Sequence, residues 1–345
     1  MNRDHLPRQN EDHFPPASAR DYVFPQTDLG RAVRTWIADG QAQGWSKSTL
    51  DSRTATLRQF LWWLEHEESE PAVFKTVTPS RLRTYLSYCR EPHPGGRYGC
   101  NHRMAGKQAR PSTIQTYHRH LRTFLNFCLT EGLLEQSPLR NIKPPRVPND
   151  QIQPFTPEQI QSLLNAARAS EQKERNVAVL LLLVDAGLRV SELCSLRVRD
   201  IDRTTAQISI VGKGNKRRTV YAGTTARRAL SRYLQNAHPD AAPDRLLFHT
   251  ESTQGSSDGL TPNGVRLMMR RLGKAANVKG VRVSPHTARH TFAVSFLRGG
   301  GNLFELQALM GHSDLTILRR YVALADADLA QAHRAASPVD RLRIG

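Results

Sequence analysis

The sequence predicts a mainly α-helical chain with one small β-sheet, divided into two domains. Three observations predict it. Apolar residues recur at helical spacing along most of the 345 residues. Two short segments, Gln207 to Val211 and Thr219 to Tyr221, are separated by GKGNKRR and read as a β-hairpin. The stretch SPLRNIKPPRVPND, residues 137–150, sets four prolines among basic side chains and reads as an extended linker. The expected divisions are a flexible arm over 1–26, a helical domain over 27–136, a Pro-rich linker over 137–153 and a second domain over 154–335.

Each element has a local reason. Ala32, Trp36 and Ile37 repeat at helical spacing between Leu29 and about Gly44. Ser46 is placed to cap a second helix whose apolar side runs Leu50, Leu57, Phe60, Leu61 and Leu64, with Trp62-Trp63 in the core. Thr78-Pro79 puts a cap before proline at the first helical position and opens a third helix through Tyr88. After a 20-residue Gly- and Arg-rich loop, Ile114, Tyr117, Leu121, Phe124, Leu125 and Cys128 line one face of a fourth helix, with His118, Arg119 and Arg122 on the other. In the second domain, helices are expected from Thr156-Pro157, from Asn176 to about Leu188, from Thr261 to Leu272 and from Thr287 to Leu297.

Charge says what such a chain meets. Lys and Arg number 49 against 31 Asp and Glu, a formal +18 and a pI near 10.4. Residues 1–150 carry a net +6 and residues 151–345 a net +12, so both domains are basic. Residues 71–130 hold ten basic side chains against the single acid Glu91, and residues 261–300 hold eight and no acid. Segregation of this kind suits nucleic-acid phosphates, because each neutralised phosphate releases counterions. The longest apolar run, Val177 to Val184, has eight residues, where a membrane helix needs roughly 20. No apolar stretch follows the polar, Pro-rich N-terminus, and Cys89, Cys100, Cys128 and Cys194 are too scattered for a disulfide framework. A soluble protein of the reducing cytoplasm, with no membrane partner, is the expectation.

Five short signals then occur in order: GLRVSEL (187–193), GKGNKRR (212–218), HTARH (286–290), MGHSD (310–314) and Tyr321. Singly each is weak. His286 and His290 stand four apart on a helix, but Thr follows the first where a zinc protease has Glu, so no metal is expected there. Cys89, Cys100 and His102 lack a C-x-x-C pair, and zinc is not expected there either. GKGNKRR lacks the spacing of a nucleotide-binding loop and reads as a turn presenting Lys213 and Lys216.

Together the five signals resemble the tyrosine recombinases, the phage-integrase and Xer-type family of site-specific DNA recombinases, over roughly residues 28–335. The resemblance implies an N-terminal four-helix SAM-like core-binding domain and a C-terminal catalytic domain. Its active set falls on Arg189, Lys213, His286, Arg289, His312 and Tyr321 as nucleophile, nine residues after His312; Met310 departs from the usual Leu. Lys107, Arg110, Arg119, Arg122, Lys216 and Arg217 are the expected further DNA contacts. The implied activity is cleavage and religation of double-stranded DNA through a 3′-phosphotyrosyl link, exchanging strands between specific sites. The implied assembly is a tetramer on two duplexes joined through a C-terminal helix, with accessory DNA-bending proteins as possible helpers.

The chemistry asks for these residue types. In-line attack on a phosphodiester builds negative charge on the non-bridging oxygens, and Arg189 and Arg289 each offer a fork of donors that stays charged. A phenol with a reference pKa of about 10 needs a proton acceptor, and histidine suits neutral pH. By resemblance His286 helps Tyr321, His312 contacts the scissile phosphate and Lys213 protonates the departing 5′-oxygen. Bond energy is kept in the tyrosyl phosphodiester, so neither ATP nor any other cofactor is expected. Tyr221, after the hairpin, is a weaker candidate nucleophile. Two other readings share features with this one: a type IB topoisomerase that relaxes DNA, and a non-catalytic DNA-binding regulator. Leu324, Leu329 and Ala332 mark the tail as a helix, folded back or donated to a neighbour.

Overall fold

The computed structural model describes residues 18–94, 96–98, 106–147, 153–202, 205, 207–212, 217–237, 242–250, 259–311 and 321. The chain divides into two compact units, residues 1–149 and 150–345. Eleven α-helices and one two-stranded sheet lie among the described residues.

Among the described residues the N-terminal unit has four α-helices, α1 (Asp28–Ala42), α2 (Lys47–His66), α3 (Pro79–Arg90) and α4 (Pro111–Thr130). Thr27, Ser46 and Thr78 each accept the backbone N–H three residues on, which starts α1, α2 and α3. The core is aromatic. Trp36 of α1 meets Phe124 of α4 edge-on at 5.5 Å, and Phe60 of α2 meets Tyr85 of α3 at 4.9 Å. Trp62 and Trp63 are both buried, as the helix spacing predicts. His118 is a correction: it is buried, and its Nε2 lies 2.7 Å from the Ile142 carbonyl. Its polarity pointed to solvent, but a partner carbonyl lets the ring turn inward.

That bond also draws the Pro-rich stretch onto this unit, where Leu139 is buried. Residues 1–17 lie outside the described residues, whereas Ala19 and Tyr22 are buried, and the Tyr22 hydroxyl donates to Glu65 at 2.6 Å. Tyr98 anchors the loop before α4. It is buried against Tyr85 and Cys89, whose sulfur lies 3.0 Å from the Tyr98 hydroxyl. Among the described residues no group of three ligating side chains could hold a metal ion; Cys100 and His102 lie outside them.

The second unit is built around α6 (Lys173–Asp185), packed between α5 (Pro157–Arg168), α8 (Thr224–Ala237) and α10 (Pro285–Arg298). α7 (Val190–Ser195), α9 (Pro262–Ala275) and α11 (Leu303–Met310) also lie among the described residues of this unit. β1 (Gln207–Val211) and β2 (Arg217–Tyr221) form an antiparallel hairpin in which Ile208 faces Val220. Leu163, Leu180, Leu183, Ile208, Phe248 and Met269 lie in one apolar core. α6 runs from Lys173 to Asp185 where spacing suggested 176 to 188. The cause of its end is Gly187, at φ 59°, where a Cβ would stand 2.2 Å from the Phe292 ring. No described helix is long and apolar enough to cross a membrane.

Candidate active site

The turn at Gly187 delivers Arg189 to the start of α7, where its backbone N–H donates to Glu192 at 2.8 Å. The Arg189 guanidinium bonds to the other Glu192 oxygen at 2.8 Å and to the Gly311 carbonyl at 3.0 Å. Arg218 points inward from β2 between its exposed neighbours Arg217 and Thr219. Its two terminal nitrogens meet both Glu192 oxygens at 2.8 Å, and its Nε donates to the Leu309 carbonyl at 2.8 Å. Glu192 is 5% exposed. Burial pulls its pKa up, but the bonds from Arg218 and Arg189 outweigh it and hold the carboxyl at about 2. A carboxylate held this way locks both arginines in place.

The other organiser is the end of α11. Asn302 and Glu305 form a capping box at its start, and Gly311 ends it in the left-handed region at φ 60°. A Cβ on Gly311 would also stand 3.1 Å from Arg218. The last carbonyls of a helix lack partners inside it and carry partial negative charge. Here Leu309 accepts from Arg218, Met310 from Arg289 at 2.7 Å, and Gly311 from Arg189. Arg289 reaches the Gly187 carbonyl as well. It is 4% exposed, and burial first, then Arg189 and Arg218, lower its pKa to about 10, against the pull of Glu192 and Tyr321. It stays cationic at neutral pH. Three arginines and one carboxylate thus form a rigid, positively charged floor.

Arg189, His286, Arg289 and Tyr321 fall on described segments, and the structure brings them to this floor. Lys213, Lys216 and His312 lie outside the described residues. His286, in the first turn of α10, has its pKa lowered by burial, then by Arg289 and Arg282. It stacks edge-on against His290 with ring centroids 4.0 Å apart. Tyr321 is 2% exposed, and its hydroxyl lies 2.5 Å from Nδ1 of His290. Tyr221 stands 55% exposed at the end of β2.

The expected DNA contacts of the N-terminal unit are exposed: Arg119 and Arg122 on α4, Lys107 and Arg110 just before it. Lys107 and Arg110 share with Arg20, Arg58 and Arg97 a groove of about 710 Å³ with no carboxylate lining it among the described residues. The buried Nε atoms of Arg58 and Arg97 have no hydrogen-bond partner among the described residues. Arg217 is exposed on β2.

Sequence reasoning passed over Glu192, Arg218 and His290. Glu192 and Arg218 stood inside motifs already quoted, and His290 was weighed only as half of a metal pair. The signal available was the spacing Arg189-x-x-Glu192, which brings the two together across one helical turn.

A positively charged floor beside a buried tyrosine suits a phosphoryl-transfer enzyme that works through a covalent tyrosine. The phage integrase family model matches residues 153–328, and the chain belongs to that family. It is a site-specific DNA recombinase of the tyrosine class, a DNA cleaving and rejoining enzyme. Among its relatives, tyrosine recombinase XerC of Myxococcus xanthus is 30% identical over 270 residues, 76% of this chain and 82% of that protein. XerC of Anoxybacillus flavithermus is 35% identical over 211 residues, 58% of this chain and 67% of that protein. The fold is shared with the integrase of transposon Tn1549 in complex with transposon right-end DNA, with a TM-score of 0.66 at 20% identity, covering 89% of this chain and 99% of that one. It is also shared with XerH site-specific recombinase bound to a palindromic difH substrate, with a TM-score of 0.62 at 18% identity, covering 93% and 92%.

Proposed function

We propose that Tyr321 attacks the scissile phosphate while Arg189 and Arg289 hold its non-bridging oxygens. In this reading His286 and His312 face the same phosphate and Lys213 protonates the departing 5′-oxygen. The 3′-phosphotyrosyl link is then attacked by the 5′-hydroxyl of the exchanged strand. The observation that carries this reading is the convergence of two buried or half-buried arginines, fixed by Glu192 and the α11 carbonyls, beside a buried Tyr321. Donors fixed before the reaction need no reorganisation as charge develops.

The basic groove of the N-terminal unit, together with Arg119 and Arg122, supplies phosphate contacts on the same DNA, and Lys216 and Arg217 extend them from the hairpin. Two basic units joined by a basic linker suit a duplex gripped by both, in a tetramer on two duplexes in the cytoplasm. The tail over residues 324–340, outside the described residues, would link neighbouring protomers, and DNA-bending proteins would assist. The carboxylate at the floor is spent on arginines, so cleavage is expected without a divalent metal.

The test is to trap the protein on DNA in excess EDTA, sequence the trapped DNA, and follow cleavage and rejoining on it. A covalent complex at one recurrent sequence is expected. Loss of cleavage in EDTA, restored by magnesium, would contradict the proposal.

A further inference from the structure

His290 is absent from the set that the proposed chemistry uses, yet its ring meets the reacting atom. Nδ1 lies 2.5 Å from the Tyr321 hydroxyl, with the rings 5.4 Å apart and inclined by 50°. Three local causes place it there. Ser284 caps α10 by accepting the Thr287 N–H, and Pro285 follows at the first helical position. Thr291 accepts the Phe155 N–H at 2.8 Å, which fixes the helix to the chain entering the unit. One turn of helix then sets the His286 and His290 rings 4.0 Å apart. Arg289, between them in sequence, turns away to the Gly187 and Met310 carbonyls.

Among the described residues, the titratable rings facing His290 are His286 from its own helix and Tyr321 from beyond α11. Two imidazolium rings in contact repel, and His286 is already held toward its neutral form. A neutral imidazole accepts a hydrogen bond at one nitrogen only, and a buried phenol requires a partner. With its ring proton on Nε2, His290 would accept the Tyr321 O–H at Nδ1.

We propose that His290 is the proton acceptor for Tyr321, the role that resemblance alone assigned to His286. The Oη–H bond breaks and its proton passes to Nδ1. The electron pair left on Oη forms the bond to phosphorus, and the bond from phosphorus to the 5′-oxygen breaks. That oxygen takes the proton of Lys213, so the step ends with His290 as imidazolium and Lys213 as a neutral amine. Religation returns both protons. His286 is then left to serve the phosphate. This inference rests on the proposed role of Tyr321.

The probe is a nicked suicide duplex carrying the sequence that the wild-type protein traps, with sulfur at the bridging 5′ position. A thiolate leaves without a proton, so the demand on Lys213 is removed. His290→Asn keeps an acceptor oxygen near the place of Nδ1 but takes no proton; His290→Ala removes both. Each variant is compared with wild type in thermal unfolding and in binding the same duplex, to separate chemistry from folding. Both variants should form the covalent complex about 100- to 10,000-fold more slowly at neutral pH. The deficit should narrow as pH climbs toward about 10, where the phenol ionises unaided. Wild-type rates in His290→Asn, a deficit constant with pH, or the pH-dependent deficit appearing in His286→Asn instead would each overturn the inference. A covalent complex from Tyr321→Phe would overturn the nucleophile assignment itself; its absence beside a fully active His290→Asn overturns only the role of His290.

Discussion

Arg119 and Arg122 stand exposed on α4, while the same helix buries His118 against the Ile142 carbonyl and His120 against the Thr56 hydroxyl. His120 is held down to about 4, by burial first and then by Arg119 and Arg53. The C-terminal unit does the reverse: Arg289 is 4% exposed and Arg218 only 12%, tied to carbonyls and to Glu192. On α4 the neutral groups are thus inside and the charge is in solvent, where salt screens it. The site of the C-terminal unit desolvates its charge and fixes it in advance, which strengthens its field. Substitutions of the same residue type should therefore have unlike consequences in the two units.

The largest effect is expected at Arg289. Arg289→Gln should slow covalent-complex formation by about 10³- to 10⁵-fold, the range for an arginine that meets transition-state charge on a phosphoryl group. Single-turnover cleavage measures it. A loss under tenfold would return the site to a screened surface like that of α4.

Next comes Glu192. Glu192→Ala leaves Arg189 and Arg218 without their carboxylate and should destabilise the C-terminal unit by about 3–5 kcal/mol, read by denaturant unfolding. The carboxyl sits near 2 when folded against an ordinary 4.5. Its contribution is present above 4.5 and lost as pH falls toward 2, about 3 kcal/mol in all. Glu192→Gln should flatten the stability profile across that window, and an unchanged profile would contradict the clamp.

How much of this was legible in the sequence varies with how local the cause is. The caps at Ser46, Thr78 and Thr156 act within one turn, and each starts its helix where the residues predict. α8 went unread although Ala226, Leu230, Tyr233 and Leu234 carry helical spacing, and α11 although Asn302 and Glu305 carry a capping signal. His118 and the end of α6 depend on contacts that no short window contains, with the Ile142 carbonyl and with Phe292. The same holds at the site. The motifs name the residues proposed to meet phosphate, whereas Arg218 acquires its place only when β2 and α11 come together 91 positions apart in the chain.

The smallest effect on the folded state is expected on α4. Arg119→Ala or Arg122→Ala should change stability by less than about 0.5 kcal/mol. Each should still weaken DNA binding and reduce the dependence of log affinity on log salt by about one unit per lost phosphate contact. A salt titration of binding decides it, and an unchanged slope would remove these residues from the DNA surface.

The assignment of the buried tyrosine is the claim on which the account of the C-terminal unit turns. Its most direct test digests the wild-type covalent complex and locates the nucleotide-bearing peptide by mass spectrometry. The phosphodiester is expected on the Tyr321 hydroxyl and not on Tyr221, the exposed tyrosine of β2. A nucleotide on Tyr221 or any other side chain would contradict it.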